Sequence, residues 1–139
     1  MKRVLVFGSF DPLHEGHKDF FRQAKALGDH LTVVVAHDEA LRAHKHRDPY
    51  QSAAERLAAA AAVSEVARAM IGNKQANKYT LLSELDFDVV ALGYDQAPAD
   101  AVVREELDKR GKHRVQIVRL KAYKPDTYKS TLLRNPKPQ

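Results

Sequence analysis

The sequence predicts an α/β fold, a parallel sheet with helices packed on both faces. Three observations carry that expectation. Five short runs rich in Val, Ile and Leu recur along the 139 residues. They are near-continuously apolar, the pattern of strands buried on both faces rather than of a half-solvated sheet. They also alternate with stretches of helical periodicity, which is the arrangement of βα units. One compact domain is expected, since domains usually span about 100 to 150 residues. It should run over 1–134, with a frayed proline-containing tail at 135–139.

The first run, Arg3 to Phe7, passes through a glycine-containing turn into a helix expected from about His17 to Leu27. That helix puts Phe20, Ala24 and Leu27 on one face and Lys18, Arg22 and Lys25 away from it, and Gly28 supplies a stop. The second run, Leu31 to Ala36, is followed by a basic segment, His44-Lys45-His46-Arg47, that reads as a loop. Ser52, with Glu55 three residues on, makes a capping-box pattern and opens a helix through Leu57 to Val63. The alanines of that helix favour helical backbone and permit close packing. The third run, Glu65 to Ile71, precedes a helix expected from about Ala76 to Leu85. The fourth, Val89 to Leu92, precedes one from about Ala99 to Arg110 that Gly111 stops, and the fifth is Val115 to Leu120. No repeat, low-complexity tract or linker interrupts the series.

Composition narrows the chemistry. The chain has 44% apolar and 29% charged residues, as ordinary globular proteins do. No apolar run approaches the roughly 18 residues of a membrane-spanning helix, and no signal-peptide pattern precedes the first strand, so a cytoplasmic location is expected. The absence of cysteine excludes disulfides, thiolate metal sites and a cysteine nucleophile. The formal charge of +5 suits an anionic partner. Nucleic acid is disfavoured as that partner, because only 7% of residues are aromatic, there is no tryptophan, and the aromatics fall in segments that read as buried or turn-like.

The most informative stretch is Val6-Phe7-Gly8-Ser9-Phe10-Asp11-Pro12-Leu13-His14-Glu15-Gly16-His17, where the first strand meets the first helix. Ligands of doubly wound sheets bind at the carboxyl ends of strands, near the reversal of strand order. Gly8 would let backbone approach a phosphate, and the helix start would aim unpaired N–H groups at the same anion. Two histidines three residues apart can converge on one phosphate. The competing readings are a metal pair or an exposed accident among seven histidines.

With Gly8-Ser9-Phe10-Asp11 before it, His14-Glu15-Gly16-His17 resembles the HxGH signature of the nucleotidylyltransferase superfamily, whose usual opening is G-T-F-D. Ser9 keeps the hydroxyl of the usual threonine. Further landmarks follow in order: Ala36-His37-Asp38-Glu39, Glu55-Arg56, Leu92-Gly93-Tyr94-Asp95-Gln96 and Lys129-Ser130-Thr131. The resemblance implies a single Rossmann-like doubly wound domain with a five-stranded parallel sheet of order 3-2-1-4-5. It also implies transfer of a nucleoside monophosphate from a nucleoside triphosphate to a phosphate-bearing small molecule, with release of pyrophosphate.

By the same resemblance, His14, His17 and Lys45 serve the reaction. Gly8, Ser9, Phe10, Gly93, Asp95, Ser130 and Thr131 join the two histidines in binding nucleotide, and Asp11, Asp38, Arg47 and Arg56 bind the acceptor. Mg²⁺ is implied, bound mainly through the triphosphate, with no protein ligand assigned. The plainer alternatives are a solvated basic patch for Lys45 and Arg47, helix-surface pairing for Arg56, and a helix cap for Asp38. Asp95 could serve only as a turn former, and Ser130 and Thr131 only as a helix cap. The last segment departs from the superfamily's I-S-T-T-K-I pattern: it keeps two hydroxyls and loses the lysine, with Arg134 the nearest substitute.

Chain length and motif order are similar to those of the archaeal-type FAD synthases and the glycerol-3-phosphate cytidylyltransferases. The Gly93–Gln96 turn and the following helix and strand favour the former, hence AMP transfer from ATP to FMN. Cytidylylation of an alcohol phosphate is the runner-up, and a non-catalytic nucleotide- or RNA-binding protein is the alternative class. Homodimers are common in such families, though no interface is legible here.

Overall fold

The computed structural model describes residues 1–74, 78–96 and 98–122. Five strands form one parallel sheet: β1 (Arg3–Gly8), β2 (His30–Val35), β3 (Arg68–Ile71), β4 (Val89–Leu92) and β5 (Gln116–Arg119), in the order β3-β2-β1-β4-β5. The order expected for the sheet is the order found. Strand order reverses between β1 and β4, the position at which doubly wound sheets form their ligand crevice at the carboxyl edge.

Alternate residues of each strand feed two apolar layers. On one face Val4, Val6, Leu31, Val33, Val35, Val89 and Ala91 pack against Phe21 and Ala24 of α1 (Glu15–Lys25) and Ala60 of α3 (Ala53–Ala61). On the other face Leu5, Val34, Val90 and Leu92 meet Leu81 and Leu82 of a 3₁₀ helix (Lys78–Ser83) and Val103 and Leu107 of α4 (Asp100–Lys109). Strands loaded on both faces explain the continuous apolar runs. Each fully buried Val or Leu contributes about 1.5 to 3 kcal/mol, so the sheet is the stable base for the loops at its edge.

Three expectations need correction. The segment after β2 is not a loop throughout: α2 (Asp38–Lys45) occupies it, capped by His37, whose Nδ1 accepts the Glu39 N–H at 3.1 Å. The helix expected from Ala76 to Leu85 is only the short 3₁₀ turn, and Ala76 itself lies outside the described residues. This short crossover sits beside a cavity of about 250 Å³ at the amino ends of the strands, lined in part by Arg3, His30, Thr32 and Arg68. Gly28 does not end α1 through a left-handed turn. A Cβ there would lie 2.6 Å from the Lys2 carbonyl oxygen, so glycine is needed for close passage beside β1. Gly111, at φ 75°, does act as the stop for α4.

Candidate active site

The turn after β1 is shaped by Phe10, which adopts a left-handed φ of 50° and is 3% exposed. Its ring folds back beneath Gly8, where a Cβ would come within 2.5 Å of Phe10 Cζ. It then meets the rings of His17 and Phe21 edge-on, at 5.0 and 5.1 Å. Phe10 is therefore a buried support for His17, and its ring is not presented to a ligand. Gly8 is glycine because the Phe10 ring occupies the space a side chain would need.

His14 is the N-cap of α1, which begins at Glu15, earlier than the His17 start expected. Its Nδ1 accepts the Gly16 N–H at 3.0 Å, and Nδ1 of His17 accepts the His14 N–H at 3.2 Å. The pair thus forms a capping box from two imidazoles, a role usually filled by Ser or Thr with Glu or Gln. The rings stack with centroids 3.8 Å apart and planes 22° from parallel. A main-chain N–H donates to each Nδ1, so each neutral ring carries its proton on Nε2. Cap geometry therefore fixes one tautomer in both rings and makes each Nε2–H a donor, beside the positive end of α1.

Asp11 has a different place from the one expected. Its side chain is 1% exposed, and its carboxylate accepts the N–H groups of Tyr50 and Gln51, both at 2.8 Å, and Nη1 of Arg47 at 3.2 Å. These bonds tie the segment after α2 to the β1 turn. Arg47 also donates to the Asp48 carbonyl at 2.8 Å and lies over the exposed Tyr50 ring, 4.3 Å from its centroid. Lys45 is the last residue of α2 and is exposed.

Arg56 is likewise no surface group. It is fully buried in α3, and its guanidinium donates to the carbonyls of Gln51 (3.0 Å), Ser9 (3.0 Å) and Ala36 (2.7 Å) and to Asp38 Oδ1 (2.6 Å). It gathers the ends of β1 and β2, the start of α2 and the loop before α3 around one charge. An arginine enclosed in this way does not reach an acceptor, nor is it paired on a helix surface. Asp38, the first residue of α2, faces it from a side chain 28% exposed. Partial burial opposes ionisation of Asp38, but the hydrogen bonds from Arg56 and from the Ala53 N–H outweigh it and hold the carboxyl below the usual carboxylate range.

Across the crevice, the turn after β4 presents Tyr94 and Asp95 at its exposed tip. Gln96 closes it: Oε1 accepts the Gly93 N–H, and Nε2 donates to the Phe7 carbonyl on β1, each at 3.0 Å. Arg119, at the end of β5, donates to the Gly93 and Gln96 carbonyls at 2.7 and 2.6 Å. The sequence singled out neither Gln96 nor Arg119 as a site residue, although both fall at strand ends where such residues are expected. Ser130, Thr131 and Arg134 lie outside the described residues. The site residues that come together are those of the β1 turn, the α1 start, the 47–51 segment and the 93–96 turn, while no hydrogen bond or ion pair among the described residues joins the Lys45 side chain to them.

The cytidylyltransferase-like family model matches residues 5–135. The chain belongs to the cytidylyltransferase-like family. Its relatives in that family include the FAD synthase of Thermococcus kodakarensis, 41% identical over 93% of this chain and 87% of its own length. The FAD synthase of Aciduliprofundum boonei is 40% identical over 88% of this chain and 80% of its own. Among solved structures, the lipopolysaccharide core biosynthesis protein of Thermoplasma volcanium superposes with a TM-score of 0.80 at 36% identity, over 88% of this chain and 98% of that one.

Proposed function

We propose that this family member is an FAD synthase, transferring AMP from ATP to FMN with release of pyrophosphate. The observation that carries the reading is the 41% identity to an FAD synthase, maintained over 93% of the chain. The local geometry supplies chemistry to match. A phosphate oxygen of FMN attacks the α-phosphorus of ATP in line, the bond to the α–β bridging oxygen breaks, and pyrophosphate leaves with that electron pair. The step needs no protein nucleophile. It needs two polyanions aligned and the charge on the α-phosphate oxygens stabilised.

The Nε2–H groups of His14 and His17 are the donors we assign to those oxygens, held in place by the bonds to their Nδ1 atoms. Arg47, on the segment that Asp11 anchors, and Lys45, at the end of α2, supply cations for phosphate oxygens. Asp11, Asp38 and Arg56 support the site from beneath without touching substrate. Mg²⁺, when bound to the triphosphate, would neutralise charge on its oxygens. Such an ion would take its oxygens chiefly from phosphate and water, as Mg²⁺ commonly does.

The test pairs ATP and CTP in turn with FMN, glycerol 3-phosphate and phosphocholine, in the presence of Mg²⁺, following pyrophosphate release and product mass. FAD formed from ATP and FMN alone is the expected result. Turnover only with CTP and an alcohol phosphate would overturn the substrate assignment while preserving the chemistry. Nucleotide binding without turnover on any acceptor would make the chain a binding protein.

A further inference from the structure

The guanidinium of Arg119 is spent on one segment. Beyond its bonds to the Gly93 and Gln96 carbonyls, Nη2 donates to the Pro98 carbonyl at 3.1 Å and to Asp100 Oδ1 at 2.5 Å, and Nε donates to the same oxygen at 3.1 Å. A surface arginine commonly meets a single carboxylate and contributes little. Here three main-chain carbonyls of the β4–α4 connection and the first residue of α4 all turn toward one planar fork. Their convergence dictates the path of the connection. Gln96 then fastens the near end of that path to β1 through Phe7, next to Gly8.

The crevice at the strand-order switch therefore has two separately braced walls. On the β2 side, Asp11 fixes the 47–51 segment with its cation Arg47, and Lys45 precedes it at the end of α2. On the β4 side, Arg119 and Gln96 fix residues 93–96 and 98–100, which present the exposed side chains of Tyr94 and Asp95. The histidine pair stands on the element between them. A reaction that joins two phosphate-bearing substrates at one pair of histidines needs one on each side. The cationic wall suits the terminal phosphate of the acceptor, and the other wall, with the Tyr94 hydroxyl and the Asp95 carboxylate as acceptors for ribose hydroxyls, suits a nucleoside.

We propose that Arg119 and Gln96 are positioning residues for the nucleotide, acting through the placement of Gly93–Gln96 and of Pro98 and Asp100 and not by contact with the reacting atoms. The identity of that nucleotide as ATP rests on the FAD synthase reading. Arg119→Lys keeps the charge but not the fork, so it cannot gather the same carbonyls. Gln96→Leu removes the strap to β1 and leaves Arg119 in place.

The experiment measures ATP affinity by calorimetry without FMN, KM for each substrate, and the melting temperature of the free protein. Arg119→Lys and Gln96→Leu are each expected to weaken ATP binding and raise its KM roughly tenfold, while KM for FMN changes less than about twofold. Guanidinium ion at low millimolar concentration should restore part of the ATP affinity of Arg119→Ala and none of that of Gln96→Leu. Equal rises in both KM values, or a lower melting temperature with unchanged ATP affinity, would overturn the proposal and leave a merely structural brace. If the Arg119 variants do not fold, Gln96→Leu alone decides by the same criteria. A wild-type protein that binds ATP but forms no FAD would defeat the substrate reading, while the effect of the variants on ATP affinity would still stand.

Discussion

The proposed reaction gives both ring nitrogens of His14 a use, one to start a helix and one for chemistry, and the two uses can be separated. Asparagine is among the best N-caps, so His14→Asn retains an oxygen for the Gly16 N–H while removing the Nε2–H donor. Melting should show stability within about 1 kcal/mol of wild type, whereas pyrophosphate release should fall by about 10² to 10⁴. Turnover retained in the folded variant would remove His14 from the reaction. Arg56 gives the opposite pattern. Replacing it by Met strands the carbonyls of Ser9, Ala36 and Gln51 and leaves Asp38 without its guanidinium partner, so urea unfolding should show a loss of about 3 kcal/mol or more. Its partner adds a pH signature. Because the folded state lowers the Asp38 pKa, the stabilisation from this group is fully present above the ordinary carboxylate range and is lost as pH falls through the depressed folded value. The stability gap between wild type and Asp38→Asn should accordingly be widest near neutral pH and narrow in acid. A gap that stays constant would mean that the carboxylate charge does not matter.

At the scale of elements, the β1 turn and α1 form a unit whose parts must fit together. Gly8→Ala places a methyl within 2.5 Å of the Phe10 ring, and that ring supports His17. Either Phe10 or the strand end must shift, which costs about 1 to 3 kcal/mol for overpacking and displaces the Nε2 donor of His17. Turnover should drop further than the loss of folded protein accounts for, as read by activity normalised to the folded fraction. What the sequence disclosed at this scale follows from local signals. The strands were legible because burial on both faces leaves unbroken apolar runs, and α3 because Ser52 and Glu55 announce its start. Helix α2 was hidden because its eight residues bury little beyond Leu41, too few to mark a periodic stripe. The roles of Arg56 and Arg119 were hidden for a different reason. Each depends on backbone carbonyls brought from distant positions, and no spacing rule encodes where carbonyls will point.

Across the whole molecule, charge and topology act together. The sheet order places both braced walls and the histidine pair at one edge, and the net charge of +5 gives the molecule as a whole an attraction for polyanions. ATP and FMN carry several negative charges between them, so encounter should be assisted at low ionic strength. Screening shortens the reach of the field from about 10 Å at 0.1 M salt to about 3 Å at 1 M. Contacts at hydrogen-bond distance within the crevice, including the donors on α1, survive that change far better than long-range attraction does. Raising KCl from 0.1 to 1 M at constant free Mg²⁺ should therefore lower kcat/KM for both substrates severalfold while kcat changes little. A fall confined to kcat would mean that salt disturbs the aligned site itself. No response in either parameter would mean that the +5 charge serves solubility and not substrate capture.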